Sequence, residues 1–155
     1  MAQRFWLVKS EPEVFSFADL KKAKKQTTSW EGVRNYQARN LLRDEMKIGD
    51  GVLFYHSSTD PQVIAGTATV AREGYPDPTQ FDSKSDYYDA DSKEDDPRWF
   101  MIDIQMDQEF KKPITREELK TIKGLEGMVL LKKGSRLSVQ PVSAKEWEII
   151  LKKGL

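Results

Sequence analysis

Short runs of large apolar residues, separated by turn chemistry, organise this chain. They predict strands near Phe5 to Val8, Val52 to His56, Val63 to Ala71, Arg98 to Met106 and Arg136 to Val142. Ser57-Ser-Thr-Asp-Pro61 between the second and third runs predicts an antiparallel pair. Arg98 to Met106 is apolar on both faces, as a central strand is. Ser16 and Asp19, Thr115 and Glu118, and Ser143 and Glu146 have the spacing of capping boxes, each opening a short helix. The first helix is Lys-rich and ends near Lys25, Gly124 ends the second, and the last carries Trp147, Ile150 and Leu151 at helical spacing. Asn35 as N-cap predicts another helix from Tyr36 to Met46. Thr27 to Asn35 reads as a polar connection holding Trp30 and Gly32. The stretch from Tyr75 to Asp96 is too long for an ordinary link, so it is a functional loop or a loosely ordered flap. Without a βαβ rhythm, the order of elements predicts one α+β domain over residues 1–155, a mixed β-barrel with short flanking helices.

Composition narrows the function. With 155 residues and 38% hydrophobic content the chain can bury a core, and its 25 basic and 25 acidic side chains balance. Proteins that grip a nucleic-acid backbone non-specifically show a basic excess, so contact here must come from a local patch or a shaped pocket. With no cysteine and a lone His56, disulfides, thiolate nucleophiles and Cys- or multi-His zinc sites are excluded. No run approaches the roughly 20 apolar residues of a membrane span, and the first residues do not read as a signal peptide. The expectation is a cytoplasmic protein, nuclear if eukaryotic.

Candidate chemistry is sparse. His56-Ser57-Ser58 sets His beside Ser, but neighbours on a strand point to opposite faces, and a locally bonded structural His is the simpler reading. The acidic loop lacks the Gly and ligand spacing of a calcium loop, and Lys93 takes a ligand position, so no metal is expected. Lys21, Lys22, Lys24 and Lys25 form a basic cluster able to touch phosphates, and equally suit a solvated helix end, which is the simpler reading. Period two would place Arg136, Ser138 and Gln140 on one face, a row able to read a base edge and equally able to be the exposed face of a half-buried strand. Trp6, Trp30, Tyr55 and Trp99 are the aromatics that could hold an unstacked base. Trp30 stands out because it lies in a polar connection, whereas Trp6 and Trp99 read as core.

Five blocks then stand together: Trp6-Leu-Val-Lys-Ser-Glu-Pro12, Trp30-Glu-Gly-Val-Arg-Asn-Tyr-Gln-Ala-Arg-Asn40, Phe54-Tyr-His-Ser57, Tyr75-Pro-Asp-Pro-Thr79 and Ser135-Arg-Leu-Ser-Val-Gln-Pro-Val142. In these the chain resembles the EVE domain family across essentially its whole length. The resemblance implies a PUA-like barrel, related to YTH and ASCH domains, that binds modified bases of DNA or RNA in a pocket accepting an extruded base. Carried over block by block, it implies a pocket of Lys9, Ser10, Trp30, Val33, Arg34, Asn35, Tyr55, His56, Ser57, Arg136, Leu137 and Ser138. The reading is a non-catalytic binder of modified nucleic acid, methylated bases first, without cofactor. The alternative is a small-molecule or nucleotide-processing enzyme using His56 or Lys9 as its acid–base group.

Overall fold

The computed structural model describes residues 3–134 and 136–155. Period-two alternation on β1 (Phe5–Ser10) sends Trp6 and Val8 to one side and Leu7 to the other, and all three are fully buried. Burial on both faces requires neighbours on both edges. β1 runs parallel to β3 (Gly51–His56) and antiparallel to β6 (Val139–Val142). β3 pairs antiparallel with β4 (Val63–Pro76), as the turn at Asp60-Pro61 predicts. β4 pairs with β5 (Phe100–Thr115), and β5 with a short β2 (Thr27–Ser29), for a six-stranded order β2-β5-β4-β3-β1-β6. Register shifts along β4 and β5 twist these long strands.

The sheet separates two cores. Trp6, Val8, Val52, Phe54, Ile102 and Ile104 join Phe17 and Leu20 of α1 (Phe17–Lys22) and Ala38 of α2 (Tyr36–Asn40) on one face. Leu7, Leu53, Tyr55, Ile64 and Phe110 meet Leu119 of α3 (Arg116–Lys120) and Ile150 of α4 (Ala144–Gly154) on the other. All three predicted capping boxes are formed, and the Asn35 side chain caps α2 by accepting the Ala38 N–H at 2.9 Å.

Several boundaries differ from the sequence expectation. β6 begins at Val139, so Arg136, Leu137 and Ser138 precede the strand and share no pleated face. Gln140 is buried and donates its side-chain N–H to the Leu137 carbonyl at 2.8 Å, which removes it from any exposed polar row. β5 starts after Trp99 and runs well beyond Met106, because Gln108, Glu109, Ile114 and Thr115 still pair with β4. The helix expected through Met46 changes at Leu41 into a π-turn over Leu41–Glu45. The polar connection after Lys25 contains β2, whose exposed edge explains its polar residues.

Candidate nucleic-acid interface

A cavity of about 520 Å³ opens where the end of β1, the segment after Pro12 and the residues after β2 meet. This falls within the usual range for ligand pockets, roughly 300–1,000 Å³. Its apolar wall is Val14, Phe15, Trp30 and Val33, and its polar positions include Lys9, Ser10, Glu11, Ser29, Glu31 and Ser138. The Lys9 N–H donates to the Ser138 carbonyl at 2.9 Å, so the segment before β6 is laid against the end of β1. The Ser10 hydroxyl donates to the Phe15 carbonyl at 2.6 Å and fixes the turn that carries Phe15.

The far wall is the long acidic loop. Asp77 is fully buried and accepts from the Gly32 N–H at 2.8 Å, the Arg34 guanidinium at 3.1 Å and the Thr79 N–H at 2.8 Å. Burial works against ionisation of Asp77, but these donors outweigh it and hold the carboxyl below its usual range. Arg34 also donates to the Tyr87 carbonyl at 2.7 Å, and its guanidinium carbon lies 5.5 Å from the Tyr87 ring and 5.3 Å from the Trp99 ring. Trp99 stacks on Tyr36 and donates its indole N–H to Asp89 at 2.7 Å. Gln80, also fully buried, accepts the Trp99 N–H at 3.1 Å and donates to the Trp99 carbonyl at 2.9 Å. The loop is therefore hydrogen-bonded in place, and Tyr87, 38% exposed, presents its ring at the cavity. Gly32 has φ +83°, and a Cβ there would lie 2.6 Å from the Tyr87 ring, so only glycine fits beneath that tyrosine.

A second cavity of about 580 Å³ adjoins the first through Lys9, Glu11 and Ser138, and adds Ser57, Gln62, Arg116 and Arg136. The structure thus groups Lys9, Ser10, Trp30, Val33, Arg34 and Ser138 in the first cavity, and Ser57 and Arg136 in the second. Asn35, Tyr55, His56 and Leu137 line neither.

The reasons are local. Phe54 and Tyr55 are neighbours on β3 and face opposite cores. Phe54 meets Trp30 edge-on at 5.4 Å, while Tyr55 lies across the sheet with its hydroxyl donating to Gln62 at 2.7 Å. Burial pushes the Tyr55 hydroxyl up to about 12, against the opposing effect of Arg116. His56 Nε2 accepts the Phe17 N–H at 3.1 Å, and burial lowers its pKa. Its acceptor nitrogen is thereby used in anchoring α1, and the Ser10 hydroxyl is engaged elsewhere. Trp30 borders the cavity but is only 8% exposed, wedged edge-on against Phe15 and Phe54. Asp77, Tyr87, Phe15 and Arg116 were not singled out as site residues by sequence reasoning. Asp77 lies inside the Tyr75-Pro-Asp-Pro-Thr79 block, but Tyr87 sits in a stretch with no period to read.

Among the described residues no group of three or more His, Cys, Asp or Glu side chains is placed to hold a metal, and no helix is long and apolar enough to cross a membrane.

Comparison with known proteins shows the family and the fold. Mouse thymocyte nuclear protein 1 is 45% identical over 164 residues, spanning 95% of this chain and 72% of that protein. A crystal structure of the human THYN1 protein in complex with DNA containing 5-methylcytosine superposes with a TM-score of 0.93 at 43% identity, covering 98% of both chains. A crystal structure from Pseudomonas putida gives a TM-score of 0.92 at 43% identity, covering 97% of this chain and 99% of the other. Residues 4–153 match the EVE domain, and the chain belongs to that family.

Proposed function

We propose that this chain is a non-catalytic reader of methylated cytosine in DNA, and that the first cavity receives the base after it leaves the stack. The observation carrying this reading is a cavity that joins an apolar wall, a projecting tyrosine and carboxylates in one place. The neighbour in complex with 5-methylcytosine DNA identifies the base to test first. An extruded cytosine needs a π surface, an acceptor for its amino group and an apolar contact for the methyl. Tyr87 and Phe15 offer the first, Glu11 and Glu31 the second, and Val14 and Val33 the third. In the same reading residues 1–155 form one PUA-like domain whose strongly twisted β4 and β5 curl the sheet into a barrel, working in the cytoplasm or nucleus.

Paired oligonucleotides differing only in 5-methylcytosine, measured by fluorescence anisotropy at fixed salt, test the proposal. Burying one methyl is worth about 0.8 kcal/mol, so methylated DNA should bind about fourfold more tightly or better. Tyr87→Ala should weaken binding by roughly one to two decades through lost stacking. Equal affinity for both oligonucleotides, or preference confined to RNA, would overturn it.

A further inference from the structure

The second cavity gathers three cationic side chains from separate parts of the chain. Lys9 from the end of β1, Arg116 from the start of α3 and Arg136 from the segment before β6 border it together. Among the described residues none of the three forms an ion pair. One carboxylate, the exposed Glu11, lies on the shared rim, so the cations outnumber it locally in a protein whose charges balance overall. The remaining lining is rich in neutral donors. Ser57, Ser58 and Ser138 carry hydroxyls, and Gln62 spends its amide oxygen on the Tyr55 hydroxyl, which leaves its N–H₂ to donate. Lys9 is held below the usual lysine range first by burial and then by the Arg116 charge, a repulsion that an anion between them would relieve.

We propose that this second cavity binds the phosphodiester backbone flanking the extruded base, with Lys9, Arg116 and Arg136 neutralising successive phosphates while the first cavity holds the base. The proposal rests on the base-reading function above. It assigns Arg136 to backbone contact, because that residue borders the second cavity and not the first. Backbone contacts add affinity and register without sequence information.

Arg116→Gln and Arg136→Gln in the full chain, titrated with methylated and unmethylated oligonucleotides across a salt series, provide the test. Each variant should weaken both complexes alike, by about fivefold at physiological salt, and reduce the log–log salt slope by about 0.7–0.9. Arg116→Lys and Arg136→Lys should restore the slope, which separates lost charge from lost folding. Inorganic phosphate should compete no better than chloride at matched ionic strength. A slope unchanged in both Gln variants overturns the backbone track, as does selective competition by inorganic phosphate, which would mark a site for the free ion. A change in the methylated-to-unmethylated ratio in Arg136→Gln would return that residue to base reading and equally overturn the assignment. If the parent protein does not discriminate methylation while its salt slope still falls with each arginine, the base-reading function fails and the backbone track stands.

Discussion

His56 shows how one residue's task is set by its partner. Because Nε2 accepts the Phe17 N–H inside a half-buried site, the neutral imidazole is required and its pKa is lowered by burial. The folded protein then binds fewer protons at His56 than the unfolded chain does. The stabilising effect is complete above the unfolded value of about 6.5 and is lost as pH falls through it toward the lower folded value. Urea midpoints should therefore drop between about pH 7.5 and about pH 5.5, and His56→Gln should flatten that dependence. An unchanged slope in the variant would remove His56 from this role. Trp30 and Tyr55 divide by the same logic of neighbours. Trp30→Ala opens the first core and should cost about 3–5 kcal/mol, so it is a poor probe of binding. Tyr55→Phe lies across the sheet from the first cavity and should leave the methylated-to-unmethylated affinity ratio unchanged in anisotropy titrations.

At the scale of elements, the loop from Asp77 to Trp99 forms a wall of the site. Its anchors are few and identifiable: Asp77 beneath Gly32 and Arg34, Gln80 on the Trp99 backbone, and Asp89 on the Trp99 indole. Asp77→Ala leaves the Gly32 N–H and the Arg34 guanidinium without their acceptor, at a cost of about 2–3 kcal/mol. The loss should concentrate in the loop: amide exchange ought to rise between Pro78 and Trp99 while β3 and β4 stay protected. Uniform exchange across both regions would mean that the loop and the sheet open together. β1 is the other decisive element. Its parallel pairing with β3 and antiparallel pairing with β6 bring Lys9 and Ser138 to the shared border of the two cavities and Ser57 into the second.

For the whole molecule, one sheet supplies both cores, so neither face can be lost without exposing the other. Unfolding should be a single transition, with calorimetric and van't Hoff enthalpies agreeing, and two separated transitions would argue for independent units. The same sheet explains what was legible in advance. Capping boxes, the Asn35 cap and the existence of the strand runs depend on spacing over a few residues and are legible in the chain, whereas strand ends such as Val139 and Thr115 are set by pairing with distant partners. The five sequence blocks pointed to the EVE family, which the comparison shows. The sequence by itself thus determined the α+β class, the positions of most elements and the family. Tertiary structure alone decided that Tyr55 turns away from Trp30, that Arg136 joins Arg116 and Lys9, and that Tyr87 projects from a hydrogen-bonded loop. The physical reason is that a cavity is made where distant segments fail to fill space between them, and no local period encodes where those segments meet.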